Sequence, residues 1–289
     1  MSKYEYNKDY FSKIDTSDKA YWLGFLYADG CINRFYRGEK LKSMTLELGL
    51  CYQDKEHLEK FKNCLESNIP ISEKTNKLKG KEYKSVRIQL NSTKLCYDLC
   101  DLGCTPNKTY NIKFPSFDIV PKEFMRDFIR GFFDGDGCIF ISTMNGKPHI
   151  ETTITGMSDM LKSISDFLIS EKVIRVNPKI HKDNRRKYTY AVYFYGTDSN
   201  KEFLDYLYKD ANIYLDRKYN QYINFYKDYD DKSNKRGVYY DKVHDVYVAS
   251  ILINNKRKTS RHKSIDGAIQ ARKEFEIEKM LIENSSLNQ

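Results

Sequence analysis

The residues GFLYADGCI at 24–32 return as GFFDGDGCI at 131–139, identical at six of nine positions. A single Asp-Gly would read as a turn; two copies with matching flanks read as a duplication. Each copy closes a helix-like segment. SDKAYWLGFLYADG carries apolar residues at 20, 22, 23, 25, 26 and 28, with Ser17 or Asp18 as its cap. PKEFMRDFIRGFFDGDG places Pro121 at the first helical position and Phe124, Phe128, Gly131 and Phe132 on one face. Gly30 and Gly137 are expected just past the helix ends, in the left-handed conformation. Gly24 and Gly131 lie inside the helices, where glycine costs about 1 kcal/mol relative to alanine. Close approach of the two helix backbones would offset that cost.

The flanks repeat as well. CINRFYR and MTLELGLCYQ read as paired strands, DKEHLEKFKNCLES as an amphipathic helix, ISEKTNKLK and EYKSVRIQL as two further strands, and TKLCYDLCDLG as a helix. The second copy is followed in the same order by CIFISTM, HIETTITGM, SDMLKSISDFLIS, VIRVNPKIHKD, KYTYAVYFYG and NKEFLDYLYKDANI. NIKFPSFDIVP, with two prolines, marks the join. The expectation is an α+β chain of two pseudo-symmetric units, 1–117 and 118–230, with a separate module at 231–289.

Lysine and arginine outnumber the acids by 49 to 40, a net charge of +9 that suits a polyanionic partner. The seven cysteines include no CxxC pair, which argues against a disulfide framework or a zinc ribbon and for a reducing compartment. Cys96, Cys100 and Cys104 are spaced as a buried helix stripe. The five histidines, at 57, 149, 181, 244 and 262, have no metal-ligand spacing. The amino terminus lacks an apolar signal region and no run reaches membrane-span length, so a cytoplasmic location is expected, or an organellar one for an intron-borne gene.

If the two glycine-bearing helices pack side by side, Asp29 and Asp136 emerge together at their carboxyl ends. Adjacent carboxylates repel unless a cation accompanies them. The helix ends add negative partial charge and free carbonyls, including those of Ala28 and Gly135. Such an all-oxygen site suits Mg²⁺, with Mn²⁺ as a substitute. On a basic chain the natural reaction is metal-assisted phosphodiester hydrolysis.

WLGFLYADG (22–30) and IRGFFDGDG (129–137) resemble the signature helices of the LAGLIDADG homing endonucleases in their monomeric, two-repeat form. The resemblance spans roughly residues 15–228. It implies two αββαββα units whose saddle-shaped antiparallel sheets lie across the DNA major groove, and cleavage of one phosphodiester per strand. It assigns Asp29 and Asp136 as metal ligands, assisted by the carbonyls of Ala28 and Gly135. Tyr27 departs from the acidic residue common in the motif, whereas Asp134 keeps it; the difference concerns packing. The resemblance also points to basic residues about eighty positions beyond each aspartate, met here by Lys108 (108 − 29 = 79) and Lys218 (218 − 136 = 82). Gln53 resembles a solvent-organising residue, with its counterpart near 156–158.

On the sheets, Arg34, Arg37, Lys84 and Arg87 in the first half are expected to meet DNA. Lys179, Lys182, Arg185, Arg186 and Lys187 are their counterparts in the second. Beyond 231 the chain reads strand, strand, strand, helix and resembles an AP2-type DNA-binding domain. Gly237, Val238, Tyr239, Ala249, Ile251, Ala268, Ala271 and Arg272 carry the likeness, while Tyr247 replaces the usual tryptophan. NNKRKTSRHK (254–263) holds five basic residues and no acid. Arg236, Lys242, Lys256, Arg257, Lys258 and Arg261 are the expected DNA contacts there. The resulting expectation is a monomeric endonuclease acting on duplex DNA, with no protein or membrane partner. The alternative is a nucleic-acid-binding protein of the same fold that has lost the chemistry, an RNA maturase or a transcription factor.

Overall fold

The computed structural model describes residues 4–78, 80–108, 111–144, 147–183, 189–234, 237–254 and 256–286, with backbone only at 78, 147, 228–234 and 283–286. Arg185, Arg186, Lys187 and Arg236 lie outside the described residues. The chain divides into two compact units, Met1–Tyr222 and Ile223–Gln289.

The first unit repeats one arrangement twice. Helix α1 (Ser17–Asp29) leads into β1 (Gly30–Arg37) and β2 (Lys40–Cys51). Then follow α2 (Lys55–Cys64), β3 (Ser72–Leu78), β4 (Lys81–Asn91) and α3 (Thr93–Asp101). After a 3₁₀ turn at Lys122–Phe124, α4 (Met125–Asp136) leads into β5 (Gly137–Met144) and β6 (Lys147–Gly156). The second half continues with α5 (Ser158–Ser170), β7 (Ile180–Lys182), β8 (Tyr190–Phe194) and α6 (Thr197–Tyr208), and ends with the start of α7 (Asp216–Asn234). Both antiparallel sheets have the same order, β1-β2-β4-β3 and β5-β6-β8-β7. The fold is thus α+β with two matching units, as expected. Residues 173–179, read from sequence as the start of a strand, are not extended; only Ile180–Lys182 pairs. The division between the two compact units falls inside α7.

Alternation sorts the strands. Met44, Leu46, Leu48, Val86, Ile88 and Leu90 are buried, as are Ile150, Thr152, Ile154, Val192 and Phe194, so the even-numbered positions face the helices. The odd-numbered positions of β2, β4, β6 and β8 form each sheet's other face.

The second unit sets β9 (Val238–Asp241), β10 (Val246–Ile253) and β11 (Lys256–His262) in the order β11-β10-β9 beside α8 (Ile265–Ser286). Its core is Ala249, Ile251, Ile253, Ala268, Ala271 and Phe275. Gly237 stands at φ +76°, where a Cβ would meet Ser250 O at 2.5 Å.

Candidate active site at the paired helix ends

Helices α1 and α4 cross with their backbones in contact. A Cβ on Gly24 would lie 2.0 Å from Phe128 O, and one on Gly131 would lie 1.9 Å from Tyr21 O. Only glycine permits that approach. Gly30 and Gly137 have a different reason from the one the sequence suggested: both are extended, at φ −70° and −89°, because each helix passes directly into a strand without a left-handed turn. A Cβ there would strike the helix it follows, at 2.7 Å from Leu26 O and 2.4 Å from Phe133 O. The α1 cap is Thr16, whose hydroxyl accepts from Lys19 N, rather than Ser17 or Asp18.

The tight crossing carries both motif ends to one place. A Cβ on Gly135 would lie 2.2 Å from Ala28 Cβ and 3.3 Å from Asp29 Oδ2, so the Asp29 carboxylate abuts the residue before Asp136. Asp29 keeps solvent access. Crowding by protein atoms nevertheless raises its pKa, opposed by Lys218 and Lys108. Thr155 Oγ1 donates to Asp136 O at 2.9 Å. Each helix end has its own lysine. Lys108 Nζ donates to Ala28 O at 2.8 Å. Lys218 Nζ donates to Phe133 O at 2.6 Å, to Asp134 O at 2.7 Å and to Gly137 O. Lys218 is fully buried, and desolvation lowers its pKa to about 8, with Asp134 and Asp29 opposing. Among the described residues, no group of three or more His, Cys, Asp or Glu is gathered as a metal cluster.

Residues 123–208 match a family model described as the LAGLIDADG-like domain. The match is to this stretch alone. It contains α4, with Asp136, and the whole second sheet. Among curated proteins, the chain is 26% identical over 207 residues to a probable translation initiation factor IF-2 of Methanocaldococcus jannaschii. The match takes in 67% of this chain but only 15% of that protein's length. Among solved structures, the chain is similar to the LAGLIDADG homing endonuclease I-GzeII in complex with its DNA target (13% identity, TM-score 0.47, covering 72% of this chain and 88% of that one). It is also similar to the LAGLIDADG homing endonuclease I-LtrWI bound to target DNA (12% identity, TM-score 0.46, covering 79% and 93%).

Asp134, within the matched stretch, has a structural role. Asp134 is buried and accepts from Tyr21 Oη at 2.7 Å, Tyr208 Oη at 2.6 Å and Leu215 N at 2.8 Å. Tyr21 gives its one proton to Asp134, so His57 Nε2, 3.0 Å away, must be the donor to Tyr21. His57 is therefore the Nε2–H tautomer. Its Nδ1 is a buried acceptor without a hydrogen-bond partner among the described residues. At the equivalent position Tyr27 donates to Leu102 O at 2.6 Å, a packing role. Gln53 is exposed, in the 3₁₀ turn Tyr52–Asp54 that follows β2, and lines a cleft of about 250 Å³ with Asp54, His57 and Arg217. Asp54 and Arg217 carried no signal in the sequence; they flank Gln53 and Lys218 but belong to no motif.

The basic residues expected on the sheets do not share one face. Arg34 pairs with Met44 across the strands and so lies on the helix side. There burial raises the Cys100 thiol's pKa and Arg34 opposes it. Arg37 ends the hairpin opposite Lys40, after the register shift at Phe35/Tyr36. Lys84 stands 5.7 Å from the centre of the Tyr52 ring. Lys179 precedes β7, and Lys182 pairs with Tyr190, again in helix-side register. Arg87 does lie on the open face, 3.5 Å from Glu47. Around it that face shows Asn33, Phe35, Thr45 and Gln89, and on the second sheet Phe140, His149 and Tyr193. On β2, β4, β6 and β8 they are the positions that alternate with the buried ones, Leu46 and Ile154 among them.

In the small unit, Lys256 and Lys258 fall on the helix side of β11, opposite Ile253 and Ile251. Lys258 pairs with Glu278 and stands 4.8 Å from the Phe275 ring centre. Arg257, Thr259 and Arg261 alternate onto the other face, with Ser250 and Leu252 of β10. Lys242 is exposed in the turn between β9 and β10.

Proposed function

We propose that this protein is a site-specific double-stranded DNA endonuclease of the homing type, hydrolysing one phosphodiester in each strand as a monomer with Mg²⁺ or Mn²⁺. The observation that carries the reading is the Asp29 carboxylate set against Gly135 at the glycine-lined crossing, beside Asp136. Asp29, Asp136 and the carbonyl of Gly135 would hold the cation, whereas the Ala28 carbonyl expected to assist is already taken by the Lys108 ammonium. The donor set is oxygen throughout, and the missing side chain at Gly135 is what lets Ala28 and Asp29 come close to the end of α4. When bound, the cation supplies Lewis-acid polarisation of the scissile phosphate and neutralises charge on the leaving oxygen.

The chain's own residues prepare that place. The close crossing brings the two helix ends together; Lys108 and Lys218 hold helix-end carbonyls and would add positive charge beside the phosphate. The open faces of the two sheets bind the duplex on either side, through polar and aromatic side chains rather than through a basic stripe. The small unit binds DNA in the manner of an AP2-type module, with Arg257, Arg261 and Lys242 as its contacts. The test is selection of cut sites from a randomised DNA library with Mg²⁺, followed by assay of Asp29→Asn and Asp136→Asn on the selected site. Both variants should bind the site and fail to cut it. Binding without cleavage by the unaltered chain would favour the cleavage-deficient alternative.

A further inference from the structure

Arg217 and Asp54 form a pair that joins the two halves of the first unit. Asp54, buried, stands at the N-cap position of α2 in the first half without a side-chain capping bond; Arg217 lies in the first turn of α7, after the second half. Arg217 Nη2 lies 3.3 Å from Asp54 Oδ2, and Nε 3.5 Å from Oδ1. Cys51 Sγ donates to Asp54 Oδ2 at 3.0 Å, so the carboxylate is itself held in place. The Arg217 side chain remains 42% exposed, at the cleft that Gln53 and His57 also line. Arg217 directly precedes Lys218, whose ammonium fastens the end of α4.

The pseudo-symmetry that relates the halves does not reproduce this pair. Lys108 and Lys218 correspond, each fastening its own helix end. The residue before Lys218 is Arg217; the residue before Lys108 is Asn107. The cap of α2 is Asp54; the cap of α5 is Met157. At the equivalent place in the other half, neither member of the charge pair exists.

We propose that Arg217, aimed by Asp54, is a phosphate-binding residue serving one strand only, so that this protein cuts the two strands at unequal rates through a nicked intermediate. The inference rests on the endonuclease reading above. Asp54 occupies Nε and Nη2, which leaves the Nη1 donors for phosphate oxygens, where charge grows as the P–O bond to the leaving oxygen breaks. Arg217 makes and breaks no covalent bond. Asn107 offers no charge to the other phosphate.

The experiment follows both strands at once on the selected site, each labelled differently, in single turnover with the intact chain in excess. The unaltered protein should accumulate nicked duplex of one polarity. Arg217→Gln should slow one strand about tenfold or more and leave the other within about twofold, so that the faster strand becomes the slower or the two rates converge. Arg217→Lys should recover part of the rate, and Asp54→Asn should slow the same strand as Arg217→Gln does. Equal slowing of both strands, or slowing that tracks a fall in melting temperature across the three variants, would make the pair a structural clasp and overturn the inference. Unaltered protein that binds but nicks neither strand removes the endonuclease reading, and this inference with it. Efficient cutting of both strands at equal rates removes this inference alone.

Discussion

Two buried groups show how much a single residue can demand of its surroundings. Lys218 places a cation among three carbonyls, and replacing it by methionine would strand those acceptors without a donor, at about 1–3 kcal/mol for each buried group left unsatisfied. Lys108 serves one carbonyl and is only half-buried. Lys218→Met should therefore lower stability clearly more than Lys108→Met, as read by denaturant midpoints. Equal losses would mean that the carbonyl contacts carry no weight. His57 gives the chain an acid sensitivity. Burial, helped by Lys60 and Lys218, lowers its pKa to about 3 from an ordinary value of 6.5. The folded state keeps the ring neutral while the unfolded state takes up the proton, so its stabilising effect is complete above pH 6.5 and is lost as pH falls toward 3. At pH 5 the loss is about 2 kcal/mol. His57→Gln should flatten the pH dependence of the melting temperature between pH 7 and 5. An unchanged slope would place the sensitivity elsewhere, since the carboxylates are common to both proteins.

At the scale of elements, the crossing of α1 and α4 rests on the absence of two methyl groups. Gly131→Ala would drive a Cβ into the Tyr21 carbonyl and the Phe25 amide, atoms of a rigid backbone, so the helices must separate. The expected cost is about 3 kcal/mol or more, together with loss of any activity that needs the helix ends in register. A denaturation curve matching that of the unaltered chain would show that the crossing can widen freely. This element was legible in the sequence because glycine within a helix has so few other justifications, and because it occurred twice. The ends of the same helices were misread. Asp-Gly after a helix usually marks a left-handed turn, but here the strand begins at once and the glycine is needed for clearance against the preceding turn. The strands were legible by alternation. The residues of their open faces were not, because charge does not follow parity: Arg34, Lys84, Lys182, Lys256 and Lys258 fall on the helix side of their sheets. Asp54 and Arg217 were illegible for another reason: they meet only through the fold, 163 residues apart in the chain.

For the whole molecule, the decisive question is what Ile223–Gln289 adds to Met1–Tyr222. The small unit has its own core, closed by Phe275 and the alanines at 249, 268 and 271, so it has the means to fold without help. Its open face joins Arg257 and Arg261 to Leu252, Ser250 and Thr259, a surface with charge for phosphate and apolar area for base edges. Removing residues 237–289 while keeping α7 should leave a cutting enzyme with weaker affinity. For every phosphate that the truncated protein no longer neutralises, the log–log salt slope of binding should shrink by about 0.9. Because tethering raises the local concentration of one unit once the other is bound, the affinity loss should exceed what the small unit shows by itself. The footprint should shorten on one side only, since the unit is joined to one end of a two-fold-like core. If the small unit instead served only to stabilise the larger one, truncation would lower the melting temperature and leave both the footprint and the salt slope as they were. The two measurements, made on one truncated protein, separate a second DNA contact from a buttress.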